Sequence, residues 1–295
     1  MKERLKIIIS CALILICLPY LITYFFQGEE TKAVANDENS SKIAGILASQ
    51  VPVTVETEAL KAQAVIVRTQ LLWAEENDGE EAKPLSKQEM EQLWGQEKYY
   101  EFYEKMVEAA EDTDGQVMTF ENKVINPSFH KVSAGMTRDG SQIYKDTPYL
   151  LSVNSKSDIL SEDYLTVQFF TRKEFEDKAL KLVSTESKKE KKEQTLEEYL
   201  DSITLKTDGA GYVTEIKIDG ENVDVDSFVK AFELPSSCFS IKEMDEHIRI
   251  VTKGCGHGFG LSQYGANEMA KDKKSYEEIL KYYFSGIKIE KTGKH

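Results

Sequence analysis

The hydrophobic pattern divides the chain into an apolar head, a helical first half and a strand-rich second half. Leu5 to Phe26 reads LKIIISCALILICLPYLITYFF, an apolar run of 22 residues. At about 1.5 Å per residue it would span roughly 33 Å, the depth of a bilayer core. Thr57 to Ala74, TEALKAQAVIVRTQLLWA, carries Leu60, Ala64, Val67 and Leu71 at helical spacing and predicts a long helix that Thr57 can cap. Residues 75–86 are acidic and break that pattern. Two further helices are predicted near 87–95 and 97–112; rich in Glu and aromatics, they read as an excursion from the core.

From Gly115 the period shifts towards two. Residues 116–121 and 123–130 predict a hairpin turning at Glu121-Asn122, and 149–153 and 165–170 predict further strands. Residues 174–183 predict a helix, 202–207 and 212–218 a hairpin around Asp208-Gly209, and 226–232 a short helix. Phe239-Ser240-Ile241 and Ile248-Arg249-Ile250-Val251 predict a third hairpin, joined across Glu243 to His247. Helices near 262–271 and 275–284 close the pattern. No internal repeat interrupts this order. Strands and helices without regular alternation predict an α+β fold in one elongated domain.

Charge and composition add direction. The chain has 295 residues, 41% of them apolar, enough for one large domain or two modest ones. A net charge of −14 excludes nucleic acid as a partner, because phosphates would be repelled. Lys2, Arg4 and Lys6 place the N-terminal end of the apolar run in the cytoplasm, and Glu29-Glu30 follow on the far side. The organisation expected is a cytoplasmic tip at 1–4, a transmembrane anchor at 5–26, a polar stalk at 27–41, an exported domain at 42–290 and a tail at 291–295. Ala33-Val34-Ala35 has the form of a signal-peptidase site, the rival reading. The run is long for a cleaved signal, and that triplet lies beyond a charged stretch, which favours the anchor. Residues 184–193, rich in Lys, Glu and Ser, read as a solvated stretch.

Cys11 and Cys17 fall in the apolar run and read as soft apolar residues. Cys238 and Cys255 flank the third hairpin in the exported part, where a disulfide is permitted; the alternative is a pair of packed thiols. The four histidines are scattered and no CxxC or HExxH occurs, so neither metal nor cofactor is expected.

Three stretches carry chemistry. GCGHGFGLSQYGA (254–266) surrounds His257 with glycines that accept φ > 0 and close approach, and Ser262-Gln263 then open a helix with free N–H groups. The loop has neither the GxxxxGK[ST] nor the GxGxxG form. In ILASQVPVTVETEALKAQAVIVRT (46–69), Lys61 and Arg68 lie two turns apart on one helix face, as for buried ion pairs or an anionic ligand. Glu58 sits in the first turn, where a carboxylate suits the helix dipole. In FHKVSAGMTRDG (129–140), His130 ends a strand and Ser133, Gly135 and Thr137 follow in a small polar turn.

EALKAQAVIVRT, FHKVSAGMT and GHGFGLSQYGA in this order, behind an apolar head, resemble the stage II sporulation protein D family, as does PSSCFSI just before the glycine loop. The resemblance runs from about Lys42 to Ile289. It implies a membrane-anchored lytic transglycosylase that cuts the MurNAc–GlcNAc bond of peptidoglycan to 1,6-anhydro ends during engulfment. The enzyme would lie between mother-cell and forespore membranes and act with sporulation proteins P and M on glycan stripped of stem peptides. One carboxylic acid protonates the glycosidic oxygen and then activates the C6 hydroxyl, unlike the two-carboxylate hydrolases.

The chain departs from that pattern at one position. The family's catalytic glutamate lies in a segment like ASEMP, eleven residues before the helix lysine and eighteen before the arginine; both counts reach Gln50, in ASQVP. A carboxamide does not transfer protons usefully near neutral pH. The resemblance thus implies a glycan-binding protein with impaired or absent cutting, or an enzyme in which Glu58 or Glu56 replaces the acid. It further implies that Lys61 and Arg68 meet the lactyl carboxylates of stripped MurNAc. His130, Ser133 and Thr137 would then form one wall, and His257, Ser262, Gln263 and Tyr264 the other, with the glycines lying against sugar rings.

Overall fold

A computed structural model describes residues 38–183 and 195–292. The apolar run 5–26, most of the stalk, and the Lys/Glu stretch at 184–193 lie outside the described residues. No helix among the described residues is long and apolar enough to cross a membrane. The fold mixes helices and short sheets, as the irregular alternation of periods predicts.

Four helices come first: α1 (Glu38–Gln50), α2 (Thr57–Asn77), α3 (Lys87–Trp94) and α4 (Gln96–Asp112). Helix α1 takes over the last residues assigned to the stalk. Its Ile43, Ile46 and Leu47 are fully buried, so packing against the core holds it. Helix α2 is buried without a break from Ala62 to Thr69, and its alanines let neighbours close in on several sides. Glu56, not Thr57, is its N-cap residue, and it makes no side-chain cap. A capping box between Ser86 and Glu89 starts α3, and Gly95 separates it from α4. Met106, Val107, Ala109 and Ala110 of α4 join the main core, so this helix is no excursion.

The strands follow as β1 (Gln116–Phe120), β2 (Lys123–Val124), β3 (Phe129–His130) and β4 (Leu165–Thr171). After α5 (Arg172–Ala179) and α6 (Leu196–Asp201) come β5 (Ile203–Thr207), β6 (Val213–Ile218), β7 (Glu221–Val223) and α7 (Val225–Ala231). The chain continues through β8 (Phe239–Met244), β9 (His247–Lys253), β10 (Leu261–Ser262), α8 (Gln263–Lys271), α9 (Tyr276–Tyr283) and β11 (Lys288–Lys291). Three antiparallel sheets have the orders β11-β1-β2, β4-β9-β8 and β5-β6-β7, and β10 pairs with β3 in parallel.

The first predicted hairpin is truncated. Glu121 and Asn122 turn with φ of 51° and 64°, but β2 ends at Val124 and the chain leaves the sheet before Pro127, which has no N–H to donate. What continues, β3, belongs to another sheet. Residues 149–153 form no strand. The Val153 N–H goes to Thr137 Oγ1 and not to a backbone carbonyl, which breaks the ladder. Strand β11, with one apolar residue in KIEK, left no periodic signal; it is held by its register on β1.

Two apolar clusters result. The larger gathers α1, α2, α4, α8 and α9 against β1; the smaller packs Phe175, Phe228, Phe232 and Phe239 against Ile248 and Ile250 of β9. The first motif stretch runs along α1 and α2 in the larger cluster, and the second and third lie on loops and short strands beside it.

Candidate functional site

The parallel pair β3–β10 brings the second and third motifs together, with Phe129 opposite Leu261 and His130 opposite Ser262. The glycine loop then answers for its composition. Gly254, Gly256, Gly258 and Gly260 all have positive φ, from 69° to 103°. A Cβ on Gly254 would stand 2.8 Å from Val132 O, and one on Gly256 2.8 Å from the His130 Cβ; on Gly258 it would meet the Tyr212 ring and on Gly260 it would overlap Ser128 O. These glycines are bare because the loop lies on residues 128–134 and Tyr212. The expectation that they face sugar rings gives way to a packing role.

The loop also sets the histidines. His130 is buried, and its Nδ1 lies 3.0 Å from Phe259 O; the N–H donates there, leaving Nε2 without a protein partner. Burial drives its pKa down to about 3, so the ring is neutral. His257 is exposed, its ring 5.8 Å from that of His130, and its Nδ1 accepts the Phe259 N–H at 3.1 Å. Desolvation, followed by the Phe129 backbone and then the Arg138 charge, sets its pKa, with a net shift downward.

Ser133, Thr137 and Ser262 are fully buried and bonded within the protein. Ser133 Oγ accepts the Gly135 N–H at 3.1 Å, Thr137 Oγ1 the Val153 N–H at 2.9 Å, and Ser262 Oγ caps α8 through Gly265 N at 3.2 Å. They hold walls in place and do not line them. Behind them lies Asp158, fully buried, which accepts the Ser133 N–H at 2.7 Å and lies against the hydroxyls of Ser133, Ser155 and Ser262. Burial pushes its carboxyl up. A lone Asp in an irregular stretch gives sequence reading no signal for this role.

Gln50 ends α1 half-buried. Its Oε1 accepts from Gln63 Nε2 at 2.9 Å, and its carbonyl accepts from Gln263 Nε2 at 3.1 Å. The first and third motifs therefore meet where the Gln263 side chain reaches the Gln50 carbonyl. Two further bonds hold the seam: Asn267 Oδ1 accepts the Glu56 N–H at 2.8 Å, and Lys131 O accepts the Tyr264 N–H at 3.1 Å. Lys105 Nζ donates to Val53 O and Val55 O, at 2.7 and 2.6 Å, and pins the loop after Gln50. The one sequence sign of Gln63 is a polar residue inside an apolar helical stretch.

Lys61 and Arg68 share a face, as their spacing requires, but not this one. Gln63 is two positions beyond Lys61, about 200° around the helix. Lys61 pairs with Asp112 at 2.8 Å and Glu58 at 3.2 Å, and the Asp112 contact leads in raising its pKa. Arg68 is 7% exposed; its guanidinium donates to Ala110 O at 2.8 Å, Thr113 O at 2.7 Å and Gln116 O at 3.3 Å. It closes the C-terminus of α4, where carbonyls lack intrahelical partners. Glu58 Oε2 accepts the Tyr276 N–H at 2.8 Å and so caps α9. Replacing Arg68 by Met is expected to cost about 3 kcal/mol in urea unfolding, because several buried carbonyls lose their donor. Glycan retention by the folded variant should not change; a drop would put Arg68 back at the ligand.

Cys238 and Cys255 are free thiols. In the β8–β9 register Lys253 N donates to Cys238 O, so Cys238 stands opposite Lys253, while Gly254 turns the chain and Cys255 pairs with Val132. The bridge considered for this pair is not formed. Burial pushes both thiols up. Among the described residues no group of three or more His, Cys, Asp or Glu side chains gathers as a metal site would require.

Residues 27–120 match the family described as stage II sporulation protein (SpoIID). Stage II sporulation protein D of Bacillus subtilis (strain 168) is 31% identical over 274 residues, covering 88% of this chain and 76% of that protein. The Bacillus amyloliquefaciens protein of the same name is 32% identical over 273 residues, covering 87% of this chain and 75% of its own. An amidase enhancer of Bacillus subtilis is 22% identical over 292 residues, covering 84% of this chain but 40% of that protein. With two stage II sporulation D proteins aligned over 87–88% of this chain, and the three motif stretches joined in space, the chain belongs to the stage II sporulation protein D family.

Proposed function

We propose that this sporulation protein acts on the cell wall by binding peptidoglycan glycan strands, with lytic transglycosylase activity impaired or absent. The carrying observation is Gln50. It occupies the position that family spacing assigns to the proton donor, it is seated between Gln63 and Gln263, and its carboxamide cannot release and recapture a proton near neutral pH. Losing a general acid typically costs about 10²–10⁴ in rate. Leu5–Phe26 anchors the chain, and the domain works on the outer face between the two membranes of the engulfed cell. Sporulation proteins P and M are its expected partners. One relative is named an amidase enhancer, which agrees with a protein that holds wall for another hydrolase.

The alternative, an active enzyme using Glu58 or Glu56, is poorly served by the geometry. The Glu58 carboxylate is committed to the Tyr276 N–H and Lys61, and Glu58 stands five positions from Gln63, about 140° around α2. Glu56 is exposed at the N-cap of α2. The test is to incubate the full-length chain with purified strands freed of stem peptides. Retention of strands without 1,6-anhydro products by mass is expected. Anhydro products from the unmodified chain acting alone would overturn the reading.

A further inference from the structure

A cleft of about 790 Å³ opens between the glycine loop and the β5-β6-β7 sheet. Among its lining residues are Arg138, Tyr144, Lys217, Asn222, His257 and Phe259. The Arg138 guanidinium lies 4.4 Å from the Phe259 ring centroid and 5.1 Å from that of Tyr212, so two aromatic faces fix its plane. Its Nε donates to Asp208 at 2.7 Å and its Nη1 approaches His257 O at 3.5 Å. Nη2 keeps donor capacity. Tyr144, 52% exposed, meets Phe259 edge-on at 5.3 Å and offers an apolar face at the mouth.

The charges of the cleft are unequal in what they have left to give. Glu215 is held by Lys206 at 2.7 Å, and that contact lowers its pKa. Asp224 caps α7 through Ser227 N at 2.8 Å, which lowers its pKa too. Asp226 is exposed in the first turn of that helix, where the dipole favours it. Lys217 is half-buried and makes no ion pair among the described residues. A protein of net charge −14 thus keeps two cations with spare donors in one concave site that also carries an exposed aromatic ring and amide and hydroxyl groups. That set fits a carboxylate-bearing sugar: ring on aromatic, carboxylate on cations.

We infer that Arg138 and Lys217 form the subsite for the lactyl carboxylate of a muramyl residue, the role that Lys61 and Arg68 cannot fill from the far face of α2. This rests on the glycan reading above. The full-length chain and the variants Lys217→Gln and Arg138→Lys are compared on two immobilised glycans: strands freed of stem peptides, and the same strands with lactyl carboxyls reduced to alcohols. Arg138→Lys keeps the charge and loses the fork. The unmodified chain should hold the reduced strands about tenfold more weakly, and each variant should lose about tenfold on native strands and little on reduced ones. Thermal melting shows that the variants are folded; Lys217, which makes no ion pair among the described residues, guards against loss of fold at Arg138. Equal retention of both glycans by the unmodified chain, or variants that match it on native strands, overturns the subsite while the glycan reading stands. No retention of either glycan by the unmodified chain overturns both.

Discussion

Replacing Gln50 by Glu should raise the release of 1,6-anhydro products from stripped glycan by about 10²–10⁴ over the unmodified chain. The substitution exchanges one amide nitrogen for an oxygen and adds no volume. Oε1 of Gln50 already accepts from Gln63 Nε2 at 2.9 Å, so a carboxylate can take the same bond. Retention of strands should change little, because the shape of the seam is kept. The informative contrast uses Glu58→Gln in both backgrounds. If the Gln50→Glu chain cuts and Glu58→Gln leaves it cutting, the acid belongs at position 50. If the unmodified chain cuts and Glu58→Gln abolishes that, Glu58 has replaced it and the binding reading fails. If Gln50→Glu still does not cut, more than the acid has been lost.

The second large effect concerns the fold beneath the site. Gly260→Ala should destabilise the chain by at least about 4 kcal/mol, from left-handed backbone strain together with overlap in a packed place. Gly260 has φ of 69°, and a Cβ there would overlap Ser128 O, the carbonyl that accepts the Leu261 N–H at 3.0 Å. Relief requires β3 and β10 to part, and with them the second and third motifs. Gly209→Ala is the control: nothing stands within 4 Å of its Cβ, and it should change stability by less than about 0.5 kcal/mol. Urea unfolding of the two variants decides it, and equal midpoints would show that the glycine loop does not need its bare backbone.

Much of this was legible along the chain. The helical stripe from Leu60 to Leu71 placed α2, because a period of 3.6 is a local property that survives any packing. Glu121-Asn122 marked a turn, since few residues accept the left-handed angles it needs, and Asp208-Gly209 marked another, although there the left-handed residue is Gly211. The order of the three motif stretches pointed to the family. The glycines at 254–260 announced close approach without saying to what.

What approached what was decided in three dimensions. Two turns along a helix put Lys61 and Arg68 together, but the placement of α4 made that face the interior side, and it claimed both cations. Strand β3 left its expected hairpin partner because a parallel strand more than a hundred residues later, β10, offered its ladder. Strand β11, with hardly an apolar residue, exists through that same kind of pairing. Asp158, Arg138 and Lys217 have no pattern at all in the sequence; they acquire meaning through neighbours brought in by sheet register and loop packing. Local periodicity and turn chemistry are short-range and can be read from the order of residues. The direction a polar side chain faces, and whether its charge is already taken, depends on contacts between distant segments, which tertiary structure alone supplies.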